Sequence, residues 1–341
     1  MTNVHADEGS VPVSSRRAAA SAPDSERARL ERVIASYGVG RLTEVRETAS
    51  ENDRTWISAT DTGRPLVIKD FPAASSSARM QAALLAHVTR TDPGLPVPRL
   101  LARADGRTLT VEDGRSVLVT TFCTGTPLEA VTPDEDTVDS LAEVQARLLS
   151  ALRDADPVEL SVPARNEWSL DSILDVEHLI PVHAGPGLRP VLRKAVEEFR
   201  GHVVPVRDSL PAQVVHADLN LSNVFVERGS VSAVIDFGDA VHAPRVYDVA
   251  VSACYLGLAL GDLGHPLVDR YLAAIGRRCA LDHRETSLVR LLARVRAVLV
   301  ILLGRESARR APARADYQLR YDHLAERVLL ARAGRTTDKE E

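Results

Sequence analysis

The sequence predicts an α+β protein of two lobes, a small antiparallel sheet followed by a larger, mainly helical part. Three observations lead there. At 341 residues the chain exceeds what one hydrophobic core usually organises, about 300 residues, so two lobes with a cleft between them are expected. Up to residue 122, short apolar runs of strand length alternate with glycine turns. Beyond residue 125 the pattern changes to long runs of helical period.

The elements follow in order. Residues 1–23 are small and polar without periodicity and read as a disordered tail. Asp24 and Ser25 form a capping pair, Leu30, Val33, Ile34 and Tyr37 recur at helical spacing, and Gly38 closes that helix. Strand-like runs come at 55–59, 65–71, 99–104 and 116–122, separated by turns at Gly63, Asp105-Gly106 and Asp113-Gly114. One helix over 76–90 interrupts them, with Leu84, Leu85 and Val88 as its apolar stripe, and Pro93, Gly94, Pro96 and Pro98 end it. Thr132-Pro133-Asp134-Glu135 reads as a capping box with proline at the first helical position, and Val138, Leu141, Gln145, Leu148 and Leu152 continue the helix. Further helical patterns occupy 188–202, 246–260, 284–304 and 315–332, with a strand-rich insert at 213–237.

Composition excludes several classes. Lys and Arg number 42 against 47 Asp and Glu, a net charge of −5 that argues against a nucleic-acid partner. Aromatics at 4% leave little for base stacking. Apolar residues at 45% exclude a disordered chain. No apolar run reaches the roughly 18 residues that would suggest a membrane partner; the longest spans 297–303. Cys123, Cys254 and Cys279 are widely spaced without a Cys-x-x-Cys, so neither a disulfide framework nor a zinc site fits, and the first 25 residues lack the apolar segment of a secretory signal. A cytoplasmic protein, monomer or homodimer, is expected.

The densest chemistry lies in QVVHADLNLSNVFVERGSVSAVIDFGDAVH, residues 213–242. Runs at 224–226 and 231–235 flank the turn Arg228-Gly229-Ser230, so a hairpin returns Asp236 to the side of Asn223. Asn223 and Asp236 offer hard oxygen donors, which suits Mg²⁺ that keeps waters and phosphate oxygens. Asp218 would then stand next to the metal, placed to orient a substrate hydroxyl and accept its proton. That is the equipment of phosphoryl transfer. Each residue alone reads as a turn or cap, but His-x-Asp-x4-Asn followed by Ile-Asp-Phe-Gly arises by chance on the order of once in a thousand such chains. His216 is a candidate catalytic residue, with hydrogen-bonded support of the loop as the stronger reading.

In PLVIKDF, residues 65–71, Val67, Lys69 and Phe71 share one strand face, so the Lys69 stem runs between apolar neighbours. Nucleotide phosphates are its natural partner; an edge-strand lysine that keeps a sheet soluble is the alternative. Gly38-x-Gly40 is too short a glycine pattern for a phosphate loop. Ser50 and Asn52 of Ser50-Glu51-Asn52-Asp53 are better candidates for phosphate contact, with an ordinary polar turn equally open.

These residues resemble the aminoglycoside phosphotransferase and choline kinase superfamily, of protein-kinase-like fold, and within it the hydroxylysine kinase-like branch. The matching stretches are SENDRTW (50–56), PLVIKDF (65–71), Gln81 with PGLPVPRL (93–100), LVTTFCTGTPL (118–128), VVHADLNLSNVFVE (214–227) and IDFGDAVHAPRVYDVAV (235–251). The resemblance implies a bilobal fold, with a nucleotide-binding N-lobe at 24–122, a C-lobe at 123–335 carrying the catalytic loop and substrate site, and a tail at 336–341. By position it implies Asp218 as catalytic base, Asn223 and Asp236 as Mg²⁺ ligands and Lys69 on the phosphates of ATP or GTP. Thr121 and Cys123 would offer backbone groups to the purine, and Asp248 would be a buried acid supporting the catalytic loop. Asp239 would stand behind the metal or contact a substrate amine. One position departs: the branch carries an acid two residues before Gln81 to pair with the strand lysine, and here it is Arg79. Lys69 would then be held by nucleotide alone or by another acid, Glu51 or Asp53.

The expected function is phosphate transfer to a small-molecule hydroxyl. An acidic chain with Asp218, Asp236 and Asp239 in its cleft suits an amine-bearing acceptor, either an amino alcohol like hydroxylysine or a natural product such as an antibiotic. Trp168, Asp171 and Glu177 are candidate walls of the acceptor site, although core or surface duty is the commoner fate of such residues. The other class, a nucleotide-binding pseudokinase or scaffold, has Arg79 as its one support.

Overall fold

The computed structural model describes residues 23–48 and 53–337. Of the expected tails, 1–23 and 336–341, residues 1–22 and 338–341 lie outside the described residues, as do the candidates Ser50, Glu51 and Asn52, while 336–337 continue the last helix. Helix α1 (Asp24–Ala35) comes first, followed by strands β1 (Leu42–Thr48), β2 (Arg54–Thr60) and β3 (Pro65–Pro72), helix α2 (Ser76–Thr91), and strands β4 (Leu109–Glu112) and β5 (Arg115–Thr121). The five strands form one antiparallel sheet in the order β1-β2-β3-β5-β4. Alternation along β3 divides its faces. Leu66 and Ile68 pack with Trp56, Val117 and Val119 against Leu30, Val33 and Ile34 of α1. Phe71 packs with Leu118 against Ala78 and Ala82 of α2. Asp70, fully buried on the α1 side, accepts from Arg29 and Arg115 and so ties helix to sheet.

The remainder is mainly helical. After β6 (Thr126–Pro127) come α3 (Glu135–Leu152), the short turns α4 (Ile173–Val176) and α5 (Ile180–His183), and α6 (Arg189–Glu198). Beyond the insert lie α7 (Arg245–Leu260), α8 (Pro266–Cys279), α9 (His283–Arg310), α10 (Ala315–Gln318) and α11 (Asp322–Thr337). Helix α9 is buried nearly all round from Leu288 to Leu303 and forms the axis of this core. Leu84, Leu85 and Val88 of α2 join the same core, so α2 links the sheet to the helices. Among the described residues no helix is long and apolar enough to cross a membrane.

Several sequence expectations need correction. The run 99–104 is not a strand: it contributes a single bridge, Leu100 to Thr120, and after the Leu101 N–H reaches the Val119 carbonyl the chain turns back on itself, Arg103 N–H to the Arg107 carbonyl. Strands β1 and β4 had too little apolar alternation to be expected. Helix α3 starts two residues later than read, because the Asp134 side chain is the cap, accepting the Thr137 N–H at 2.9 Å, and leaves Pro133 ahead of it. Helix α8 was not expected at all, and the pattern at 315–332 is broken between α10 and α11.

The insert consists of β7 (Ala212–Val215), β8 (Val224–Glu227), β9 (Ser230–Val234) and β10 (Val241–Pro244). β8 and β9 form the expected hairpin with Val224 opposite Val234, while β7 pairs with β10 with Val215 opposite Val241. Both connecting loops, 216–223 and 235–240, are therefore clamped at both ends and held side by side.

Candidate active site

Two turns aim the loops. Ala217 and Asp236 adopt left-handed backbone, φ +66° and +64°, without being glycine, which costs about 1–3 kcal/mol each and has to be compensated by surrounding contacts. For Ala217 the compensation is Asp248 of α7, fully buried, whose Oδ1 accepts the Ala217 N–H at 2.7 Å. Gln145 of α3 donates to Asp248 Oδ2 at 2.9 Å, and burial pushes the Asp248 carboxyl above its ordinary range. His216 has no exposure; its Nδ1 accepts the Asp218 N–H at 3.3 Å, so Nε2 carries the proton and donates to the Ile235 carbonyl at 3.1 Å. Its ring lies 4.7 Å from that of Phe237. Both nitrogens are thus spent on main chain, and His216 fastens one loop to the other. These contacts are those of the loop-support reading.

Asp218 is held from three sides. Asn220 Nδ2 and Asn223 Nδ2 donate to Oδ2 at 2.8 and 2.9 Å, and Arg296 Nη2 of α9 donates to Oδ1 at 2.8 Å. With its amide nitrogen turned to Asp218, Asn223 leaves its Oδ1 without a hydrogen bond among the described residues. Asp236, 46% exposed at its side chain, accepts from Lys69 Nζ at 2.8 Å. Lys69 also donates to Gln81 Oε1 at 3.1 Å and stands 3.6 Å from Asp53. Removal from water opposes charge on both Lys69 and Asp236. The neighbouring charges win: Asp236 and Asp53 hold the ammonium above its usual range, and Lys69 holds the Asp236 carboxyl below its own.

A cleft partly open to solvent gathers Asp218, Asn223, Asp236, Asp239 and Trp168 together with Asp53, Gln81 and Gly238. The Asp239 carbonyl accepts from Asn166 Nδ2 at 2.8 Å. Other candidates fall elsewhere. Asp171 accepts from the Tyr247 hydroxyl at 3.1 Å and lies 3.5 Å from Arg207, outside the cleft lining. Glu177 pairs with Arg200 at 2.8 Å on the surface. Thr121 has its N–H on the Arg99 carbonyl at 2.9 Å and its Oγ1 under the Arg99 N–H at 3.0 Å, so these two groups hold the strand. Cys123 is partly buried beyond the strand end, its thiol pushed up to about 11 by burial.

Arg296 is the residue that sequence reasoning missed. Only 1% exposed, it donates to the Trp168 carbonyl at 2.9 Å as well as to Asp218, and its guanidinium lies between the rings of Trp168 and Tyr255, at 5.1 and 5.5 Å. The signal was present: an arginine inside the apolar stretch 288–303 needs a buried partner.

The family described as the phosphotransferase enzyme family (APH) matches residues 44–289, from β1 into the first turns of α9. The chain is a member of the APH phosphotransferase family. A homoserine kinase of Gluconacetobacter diazotrophicus is 29% identical to this phosphotransferase over 225 residues, 65% of this chain and 68% of that one. Among solved structures, an amicoumacin kinase in complex with AMP-PNP, Ca²⁺ and Ami matches with TM-score 0.59 at 14% identity, covering 86% of this chain and 92% of the other. A microcompartment-associated aminopropanol kinase matches with TM-score 0.60 at 16% identity, covering 87% and 94%. Both share the fold, a small antiparallel sheet with a larger helical part. None of the three is a hydroxylysine kinase, so the narrower branch expected from the sequence finds no support in them.

The family context makes Arg79 informative. In this phosphotransferase its Nη1 donates to the Ala74 carbonyl at 3.1 Å, away from the lysine. Asp53, 3% exposed at its side chain, and Gln81 take the place of the missing helix acid. Asp53→Asn is therefore expected to raise the nucleotide KM about tenfold, the loss of one charge-assisted contact, whereas Arg79→Glu leaves it within about twofold. Steady-state kinetics over a nucleotide series decides; equal effects of the two variants would refute the substitution of Asp53 for the helix acid.

Proposed function

We propose that the chain is a Mg²⁺- and nucleotide-dependent kinase that transfers the γ-phosphoryl group of ATP or GTP to a hydroxyl of a small amine-bearing alcohol. The observation that carries this reading is the convergence of Asp218, Asn223 and Asp236 on one cleft, with Lys69 reaching Asp236 from the sheet. In this reading residues 24–122 bind the nucleotide, with Lys69 on its phosphates and the main chain near Cys123 at its base, and residues 123–335 supply the catalytic loop and acceptor site.

The donor set fits a hard cation. Asn223 Oδ1 is neutral, Asp236 is anionic and partly exposed, and among the described residues no cluster of three or more His, Cys, Asp and Glu could hold a metal by itself. Two protein oxygens with phosphate and water completing the shell is the arrangement Mg²⁺ favours. The metal, when bound, supplies positive charge against the phosphate oxygens. The chain's own part is positioning. Each carboxylate oxygen has two acceptor sites, so Asp218 Oδ1, with Arg296 on one, keeps the other for the acceptor hydroxyl, which it orients and whose proton it receives. Asp239 and Trp168 line the same cleft and form part of the acceptor's surroundings.

The names of the relatives support an amino alcohol as acceptor: homoserine and aminopropanol each combine an amine with a hydroxyl. The test incubates the protein with MgATP or MgGTP and homoserine, hydroxylysine, aminopropanols or aminoglycosides, and reads the products by mass spectrometry. A gain of one phosphate on an amino alcohol, abolished by chelating the metal, is expected. Tight nucleotide binding without any phosphorylated product would favour a pseudokinase instead.

A further inference from the structure

One wall of the cleft alternates cations with aromatic rings. Beyond Trp168, Arg296 and Tyr255, the Tyr255 ring meets Tyr321 edge-on at 5.3 Å, and the Arg320 guanidinium lies 4.9 Å from Tyr321 and 4.0 Å from Tyr317. Arg296, Tyr255, Tyr321, Arg320 and Tyr317 all line the cleft that holds Asp218. The two arginines differ in their partners. Arg296 has the Asp218 carboxylate. Arg320 donates to the Tyr317 carbonyl at 2.8 Å and pairs with no carboxylate among the described residues. Glu129, next to Tyr321, accepts from the Tyr321 hydroxyl at 2.8 Å. The other cleft acids are also occupied: Asp53 and Asp236 face Lys69, and Asp239 is bound to Asn166.

A guanidinium removed from water without an anion is costly, and aromatic faces offset only part of that cost. Buried nitrogen is left over as well: Nε of Arg296 and Nε of Arg320 have no partner, nor has Gln318 Oε1 beside them. Arg296 is 1% exposed, so its unused donor is held in a dry site that opens on the cleft. A planar, forked donor of fixed charge between aromatic rings is the arrangement that recognises a carboxylate.

We propose that Arg320, with Arg296 beyond the Tyr255–Tyr321 pair, forms an anion subsite that binds a carboxylate on the acceptor. The proposal rests on the kinase reading above and narrows its acceptor to a hydroxy acid, with the amine turned toward the acidic side of the cleft. It adds to the amine-binding acids expected from the sequence: those acids lie in the segment 218–239, whereas the two arginines come from α9 and the segment before α11.

The test compares ω-hydroxy-α-amino acids with their own carboxamides, which match in shape and differ in charge, using the full chain with MgATP. Wild type is expected to favour the acids about 100-fold in kcat/KM, the scale of a desolvated charge pair. Arg320→Gln is expected to raise the KM of the acids by a similar factor and bring acid and amide within about threefold, with nucleotide affinity unchanged; Arg320→Lys restores part of the preference. Equal use of acid and amide by wild type, or an Arg320→Gln effect confined to nucleotide, would overturn the subsite. Calorimetric titration with the same compounds separates the two readings. Acids that bind in an Arg320-dependent manner without being phosphorylated would support the subsite and sink the kinase assignment. Turnover of amides alone would do the reverse, and binding of neither compound counts against the subsite.

Discussion

Asp218→Asn is expected to lower kcat about 10³-fold while leaving nucleotide affinity within twofold, the loss of a positioned general base. The substitution preserves shape, so the loop itself should stand: His216 still joins the Asp218 backbone to Ile235, and Asp248 still holds Ala217. What goes is charge. Oδ2 now receives Asn220 and Asn223, and Oδ1 receives Arg296; an amide offers one acceptor and one donor, so at least one of these donors is left facing another donor. Lys69, Asp236 and Gln81, which are proposed to face the phosphates, are untouched. Steady-state kinetics with a separate nucleotide titration reads the split, and a kcat within tenfold of wild type would remove Asp218 from the role of base.

Arg296→Met carries the second large effect, in stability as well as rate. Arg296 is almost entirely enclosed and its Asp218 partner largely so, at 2% and 15% side-chain exposure. Taking one partner from a buried pair leaves the other charge desolvated and unpaired, a loss of about 3 kcal/mol. Methionine fills much of the stem volume between Trp168 and Tyr255 but satisfies neither Asp218 nor the Trp168 carbonyl. The rate should fall as well, by about 10- to 100-fold, because Asp218 loses the donor that fixes its orientation. Chemical denaturation of Arg296→Met, Asp218→Asn and the double variant closes a cycle. If the pair acts as described, the double variant is markedly less destabilised than the two single losses added together; simple additivity would contradict it.

The catalytic loop was legible because its chemistry is local. His216, Asp218, Asn223 and Asp236 lie within one hairpin unit, so alternation and the Arg228-Gly229-Ser230 turn sufficed to bring Asp236 to Asn223, and Ile235 N–H does donate to the Asn223 carbonyl at 2.9 Å. Lys69 was legible from its strand face. Contacts made across the chain were not. Arg296 reaches Asp218 from 78 residues away, and its helix reads as plain core. Asp171 shows the same gap in reverse: it sits in the segment expected to wall the substrate, but Tyr247 and Arg207 draw it away from the cleft. Asp53 was one of two acids offered for Lys69, and only the β2–β3 register, with Thr55 opposite Lys69, decides its position. Helix α8 went unseen although Val268, Tyr271 and Ile275 keep helical spacing and Pro266 stands at its first position.

The two tryptophans give the molecule separate optical reporters. Trp56 is fully enclosed between the sheet and α1, with the Arg54 guanidinium 4.7 Å from its ring, so its emission follows the integrity of the sheet core. Trp168 stands half-exposed in the cleft wall against Arg296. Its emission therefore follows the cleft, and a chain in which Trp56 alone is replaced by phenylalanine would signal occupancy of the acceptor side without any attached dye.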